Sequence, residues 1–209
     1  IIPIVKSITK YAVMIKDPSK VAYEVDKALF LAKDGRKGPV WIDIPLDVQN
    51  KRIELNDLER FTEKSEKIKK NNILSTNDLN YLVNALNNSE RPTLLIGSGV
   101  RSANAIEDLK IFLDKHPIPV TYSGSAPDTY GLENSLSIGS VGMMGCSRAG
   151  NLTVQNSDLL LVFGSRLNTM TTGEDFQKFA REAKIIIVDI DPVEHSKNSI
   201  KIDRLIHAD

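Results

Sequence analysis

Two apolar rhythms alternate along the 209 residues. Short unbroken runs rich in β-branched residues, such as Val40–Ile44, Leu159–Phe163 and Ile185–Ile190, predict strands buried on both faces. Longer stretches with apolar residues three and four apart predict helices. Residues 1–50 read as strand, helix, strand. Asp17-Pro18 supplies a helix start, Val21, Val25, Ala28, Leu29 and Ala32 share one face, Gly35 is a carboxyl cap, and Pro45 stops the strand Val40–Ile44. From Lys51 the apolar positions lose their period, so residues 51–76 are read as a connector. Its Lys64–Lys70 stretch interleaves lysines with Glu66 and predicts a solvated face.

After Asn77 the alternation resumes, as expected for a parallel sheet with crossover helices over residues 77–209. A helix over Asp78–Asn88 with Leu79, Leu82, Val83 and Leu86 inward leads to a strand Thr93–Ile96, a helix from about Ala103 to Lys115 and a strand Pro119–Tyr122. A helix closing at Asn151–Asn156, a strand Leu159–Phe163, a helix Asp175–Glu182, a strand Ile185–Ile190 and an edge strand near Ile206–Ala208 complete the reading. The fold class is α/β: a parallel-sheet domain preceded by a partial α/β domain.

Charge narrows the function classes. The 27 basic and 27 acidic residues cancel, which leaves no electrostatic footprint for nucleic acid or an anionic membrane. That balance points to small-molecule chemistry or protein contacts. The single cysteine, Cys146, cannot form an internal disulfide, and no stretch approaches a membrane span or a signal peptide, so cytoplasm is the default compartment. The start at Ile1-Ile2-Pro3 reads as the middle of a domain, hence as a fragment.

Glycines after strands mark the candidate chemistry. Gly97-Ser98-Gly99 follows one strand and precedes a helix, the context of a tight turn or of a nucleotide cradle. Ser102 takes the third glycine position of a dinucleotide fingerprint, and no ribose-binding acid is assigned about 20 residues on. Gly139–Gly145, GSVGMMG, could wrap a flat ligand, with Met143 and Met144 as soft apolar contacts, or pack domains. After Leu159–Phe163 comes Gly164-Ser165-Arg166, where Arg166 either grips a phosphate or ribose or pairs with Asp189 or Asp191. Those two acids are expected on opposite faces, so no shared-proton pair forms, and one of them could accept from a ribose hydroxyl or from the following helix. Cys146 is read as a structural or incidental thiol. His116, His195 and His207 are too scattered for a metal site or a Ser-His-Asp order.

Five segments carry a resemblance: Gly38–Gln49 (GPVWIDIPLDVQ), Arg91–Arg101 (RPTLLIGSGVR), Ile138–Gly145 (IGSVGMMG), Asn156–Leu167 (NSDLLLVFGSRL) and Lys184–Pro192 (KIIIVDIDP). In this order they are similar to the acetolactate synthase-like thiamine-diphosphate enzymes. The resemblance implies that residues 1–50 end a pyrimidine-binding domain and that 77–209 form the central domain, a Rossmann-like sheet of the DHS-like NAD/FAD-binding type that in some members binds FAD or ADP. It implies a transferase or lyase parent, a homodimer or homotetramer, that decarboxylates a 2-oxo acid and joins the remainder to an acceptor carbonyl. Thiamine diphosphate and Mg2+ would be held outside this chain, by a glutamate before Ile1 and a Gly-Asp-Gly motif beyond Asp209, so the fragment alone is expected to be inactive.

The implied FAD or ADP contacts are Gly97, Ser98, Gly99, Gly142, Met144, Gly145, Gly164, Arg166 and Asp189. Where this chain has Met144, Asn168 and Met170, synthases of the family usually carry His, Asp and Arg, and the combination looks more like homologues found with surface-polysaccharide pathways. The alternative reading is a structural or interaction domain without a ligand. A free-standing NAD-dependent dehydrogenase is disfavoured by the incomplete glycine pattern.

Overall fold

The computed structural model describes residues 1–62, 74–197 and 199–209. The Lys64–Lys70 stretch lies outside them. The chain divides into two units, Ile1–Lys70 and Asn71–Asp209.

The first unit contains α1 (Ile2–Val5), β1 (Tyr11–Met14), α2 (Val21–Lys33), β2 (Val40–Asp43) and α3 (Leu46–Gln49). Strands β1 and β2 pair in parallel, Tyr11 opposite Val40 and Met14 opposite Asp43. The Asp17 carboxylate accepts from the Ser19 amide at 2.9 Å, as the helix-start signal required. The opening turn, Pro18–Lys20, is a 3-10 helix. Ala22 and Ala28 are the buried positions of α2, whereas Leu29, expected inside, is exposed. The expected connector begins by folding back. Phe61 meets the rings of Tyr23 and Phe30 at 5.7 and 5.6 Å, and Arg60 pairs with Asp26 at 2.8 Å.

The second unit runs α4 (Thr76–Asn87), β3 (Pro92–Ile96), α5 (Ser98–Ser102), α6 (Ile106–Lys115), β4 (Val120–Ser123), β5 (Ser137–Val141), α7 (Arg148–Asn156), β6 (Leu159–Phe163), α8 (Thr169–Thr172), β7 (Lys184–Asp189) and β8 (Arg204–His207). The six strands are all parallel, in the order β5-β4-β3-β6-β7-β8. Strict alternation loads both faces. Leu94, Ile96, Leu161 and Ile186 join one core with Leu82, Leu109 and Leu113 of the helices, while Leu95, Leu160, Val162 and Ile187 join the other with Val154 and Phe179. A sheet covered on both sides needs continuous apolar runs, which is why its central strands were legible.

Several expectations shift. On α4 the inward stripe is Tyr81, Leu82, Ala85 and Leu86, and Leu79 and Val83 stay exposed. Tyr81 takes that face because its ring lies under the cations of Lys184 and Arg204, at 5.6 and 5.3 Å. The expected helix Asp175–Glu182 is one 3-10 turn, Phe176–Lys178. Adjacent Phe179 and Ala180 are both buried, and Ala180 at φ +45° turns the chain out of any helix. Glycine-rich Ser137–Val141 is a strand, and the helix expected from Ala103 begins at Ile106 as α6, with the short α5 (Ser98–Ser102) ahead of it.

Asp158 ties the entrances of two neighbouring strands. Its carboxylate accepts from the Ser89 hydroxyl and from the amides of Glu90 and Arg91 at 2.8 and 3.0 Å. Burial pushes the carboxyl up, but these donors prevail and hold it below its usual value of 3.8. A depressed folded value means that this stability is present above the unfolded value and is lost as pH falls through the folded one. Asp158→Ala is expected to cost about 2–4 kcal/mol in urea unfolding at pH 7, by removing charge-assisted hydrogen bonds. The gap from wild type should narrow as the pH is taken below 4; an equal gap at both pH values would contradict the assignment.

Candidate functional site

Strand order reverses between β3 and β6: the chain leaves β3 for β4 on one side and leaves β6 for β7 on the other. Crevices open at the carboxyl ends of strands at such a switch point. The two diverging loops are Gly97–Gly99 and Gly164–Leu167, and they touch backbone to backbone. The amides of Gly97 and Gly99 donate to the carbonyls of Phe163 and Gly164 at 2.9 and 3.0 Å. A Cβ on Gly97 would stand 2.2 Å from the Gly164 oxygen, and one on Gly99 would stand 2.5 Å from the Gly164 Cα. Two of the loop's amides are thus spent inside the protein, and α5 has only five residues. Between the two readings of Gly97-Ser98-Gly99, the geometry favours the tight turn over a backbone cradle.

Two clefts share this crossing. The first, about 260 Å³, gathers Gly97, Ser98, Gly164, Arg166 and Met144 of the expected set. Ser123, Ser125, Asn168, Met170 and Thr171 complete its polar and soft lining. Arg166 is the single cation among its lining residues, and no carboxylate lines it. The loop after β4, Gly124 included, was missed from sequence, although strand-then-glycine was the signal used elsewhere. Arg101 fixes that loop, bonding the Ser125 carbonyl at 3.1 Å and the Asp128 carboxylate.

The second cleft, about 310 Å³, is lined largely by carbon from Val100, Leu109, Phe112, Phe163 and Val188, with three acids at its border, Asp189 at the end of β7, Asp108 and Asp209. Gly99 and Gly164 line it too, so Gly164 belongs to both clefts. The structure therefore separates Asp189 from Arg166, which line different clefts.

The remaining expected residues serve the loop itself. The Gly142 amide and carbonyl are both held by the Asn151 side chain at 3.0 Å, and the Met143 amide donates to the Met170 carbonyl at 2.9 Å. Gly142 lines a separate hollow of about 190 Å³. Gly145, at φ +63°, makes a turn whose carbonyl accepts from the Ser140 hydroxyl. From the segment Gly139–Gly145, Val141 at the end of β5 and Met144 reach the first cleft, and Met144 is 76% exposed.

Arg166 pairs with Glu194, Nε to Oε1 at 3.4 Å, and not with Asp189 or Asp191. Leu167 beside it is buried at φ +46°, a left-handed backbone that costs a non-glycine residue about 1–3 kcal/mol. Asp189 and Asp191 form no pair, for a different reason from the one expected, since positions two apart on a strand share a face. Strand β7 ends at Asp189, and Asp191 lies in the following turn. Asp189 Oδ1 accepts from the Asp191 amide at 2.8 Å, while Oδ2 lies 3.3 Å from Nε2 of buried His195, close but out of line for a hydrogen bond. His116 stacks on Phe112 at 5.3 Å, and His207 meets the Ile190 carbonyl at 2.9 Å. Cys146 contacts Asn151 Nδ2 at 3.3 Å.

Comparison with known proteins gives a consistent result. The family model for the central domain of thiamine pyrophosphate enzymes matches residues 79–209. The chain is 34% identical over 198 residues to acetolactate synthase 3, chloroplastic, of Brassica napus, covering 95% of this chain and 30% of that protein. It is 34% identical over 195 residues to the acetolactate synthase large subunit of Corynebacterium glutamicum, covering 91% and 30%. The same identity and length hold for the probable acetolactate synthase large subunit of Methanocaldococcus jannaschii, covering 91% and 32%. The chain thus spans about 30% of the length of these relatives.

Proposed function

The chain belongs to the thiamine pyrophosphate enzyme family, whose central domain it carries, and from that premise we propose two things: that it is a section of an acetolactate synthase-like enzyme acting on 2-oxo acids, and that its second unit holds an adenine nucleotide, as FAD or ADP. The observation that carries the nucleotide reading is the pair of clefts meeting at Gly164. One is free of acids and holds a single guanidinium; the other is largely apolar, with Asp108, Asp189 and Asp209 as the acids at its border.

That donor set fits an adenosine diphosphate moiety. Arg166 can fork onto a phosphate oxyanion, the hydroxyls of Ser98, Ser123 and Ser125 can donate to others, and the carbon-lined cleft suits a flat base. Nucleotide phosphate would then be bound by side chains, since the Gly97 and Gly99 amides are occupied. Met144 and Met170 offer a polarizable wall to any ring that extends past the phosphates.

Residues 1–50 we assign to the end of the pyrimidine-binding domain, and the parent to a homo-oligomer. Thiamine diphosphate supplies the decarboxylation chemistry in this reading, with Mg2+ at its diphosphate, and we place the ligands of both outside residues 1–209. The part left to this chain is to position and bind.

Binding to the native state must stabilise it, so ADP or FAD at 100 times its dissociation constant should add about 2.7 kcal/mol, a rise of several degrees in Tm. No rise with either ligand would sink the nucleotide site. For the enzyme reading, the complete protein with thiamine diphosphate and Mg2+ should release carbon dioxide from pyruvate or a related 2-oxo acid; no release from any of them would count against it.

A further inference from the structure

Arg166 is 56% exposed along its side chain, and a long side chain in that setting samples many rotamers. Glu194, which meets it, is the opposite: only 17% of its side chain is exposed, and its backbone is set by a relay from the end of β7. The Asp189 carboxylate accepts from the Asp191 amide at 2.8 Å, and the Asp191 carboxylate accepts from the amides of Val193 and Glu194 at 3.0 and 3.2 Å. Lys197 also pairs with Glu194 Oε1, which offsets its charge. The contact with Arg166 is made at Nε, the one guanidinium nitrogen whose engagement leaves both terminal nitrogens to fork onto an oxyanion.

We propose that Glu194 is the positioning residue for Arg166, holding its guanidinium ready for the phosphate of the nucleotide. This rests on the nucleotide reading above. Asp189 and Asp191 act further back, by fixing the turn that presents Glu194. A carboxylate beside a phosphate-binding arginine also repels the ligand, but that repulsion is screened at a half-exposed side chain and partly cancelled by Lys197. Ordering therefore outweighs it.

The test is calorimetric titration of the protein with ADP and with pyrophosphate, at fixed salt, for wild type, Glu194→Ala, Glu194→Gln, Arg166→Ala and the double variant Arg166→Ala/Glu194→Ala. Glu194→Ala is expected to weaken ADP binding about two- to fivefold, the equivalent of at most about 1 kcal/mol for an exposed pair. Glu194→Gln should fall between Glu194→Ala and wild type, because the amide keeps the packing at Nε but not the charge that makes the 3.4 Å ion pair, and Glu194→Ala should add nothing once Arg166 is gone. Urea unfolding of Glu194→Gln and Arg166→Ala should match wild type, which keeps the comparison free of folding effects. The proposal is overturned if Glu194→Ala binds ADP as wild type does or more tightly, or if its loss persists in the Arg166→Ala background. If wild type binds neither ADP nor FAD, the nucleotide reading itself falls and this role with it. Intact wild-type binding with an indifferent Glu194→Ala removes this role alone.

Discussion

Gly99→Ala is expected to unfold the second unit or to cost it about 3–5 kcal/mol, at the upper end of single-residue effects. The added carbon would lie 2.5 Å from the Gly164 Cα and 2.7 Å from the Gly164 oxygen, both backbone atoms. No rotamer change relieves such a clash. The two loops would have to separate, breaking the Gly99 amide to Gly164 carbonyl bond at 3.0 Å that closes the end of β3 against β6. Both strands belong to the centre of the sheet, where Leu94, Leu95, Leu160 and Leu161 are fully buried, so the strain cannot be shed to solvent. Urea unfolding checks this. A Gly99→Ala protein within 1 kcal/mol of wild type would show that the crossing is looser than the geometry says.

Arg166→Ala is expected to lower ADP affinity about 30- to 100-fold, the equivalent of roughly 2–3 kcal/mol for a lost charge-assisted fork. No other lining residue of the first cleft is cationic. Stability should change little, because an exposed ion pair with Glu194 contributes at most about 1 kcal/mol. Arg166→Lys should recover only part of the affinity, since an ammonium cannot fork. Titrations at matched ionic strength check it, and equal affinity of Arg166→Ala and wild type would exclude Arg166 from the ligand.

How much of this was legible in the sequence depended on what each pattern encodes. The buried strands were, because a sheet covered on both faces leaves continuous apolar runs such as Leu159–Phe163. Strand β5 was not, because its middle is Gly139 and Ser140, chosen for close approach to α7 and poor in strand propensity: a Cβ on Gly139 would lie 2.1 Å from Ser147 Oγ. In sequence, Gly97-Ser98-Gly99 is open between a tight turn and a nucleotide cradle, and Gly164 stands out only by its place after a strand. The two loops pack backbone to backbone, and a single chain of letters does not show which strands become neighbours. Arg166 was singled out by position, whereas its partner Glu194 lies 28 residues on, in a turn whose shape comes from backbone-to-carboxylate bonds at Asp189 and Asp191. The stripe on α4 failed for a related reason. Helical spacing alone cannot foresee that Tyr81 is drawn under two cations from β7 and β8.

In the reading proposed above, the two clefts at the switch point together hold one adenine nucleotide. Amide NMR of the isotope-labelled protein titrated with ADP tests it directly. The expected result is a saturable set of shifts confined to Ser98, Ser123–Ser125, Gly164–Asn168 and Asp189–Ile190, spanning both clefts and leaving residues 1–62 unmoved. Shifts absent from those segments at millimolar ADP, or confined to residues outside both clefts, would contradict it.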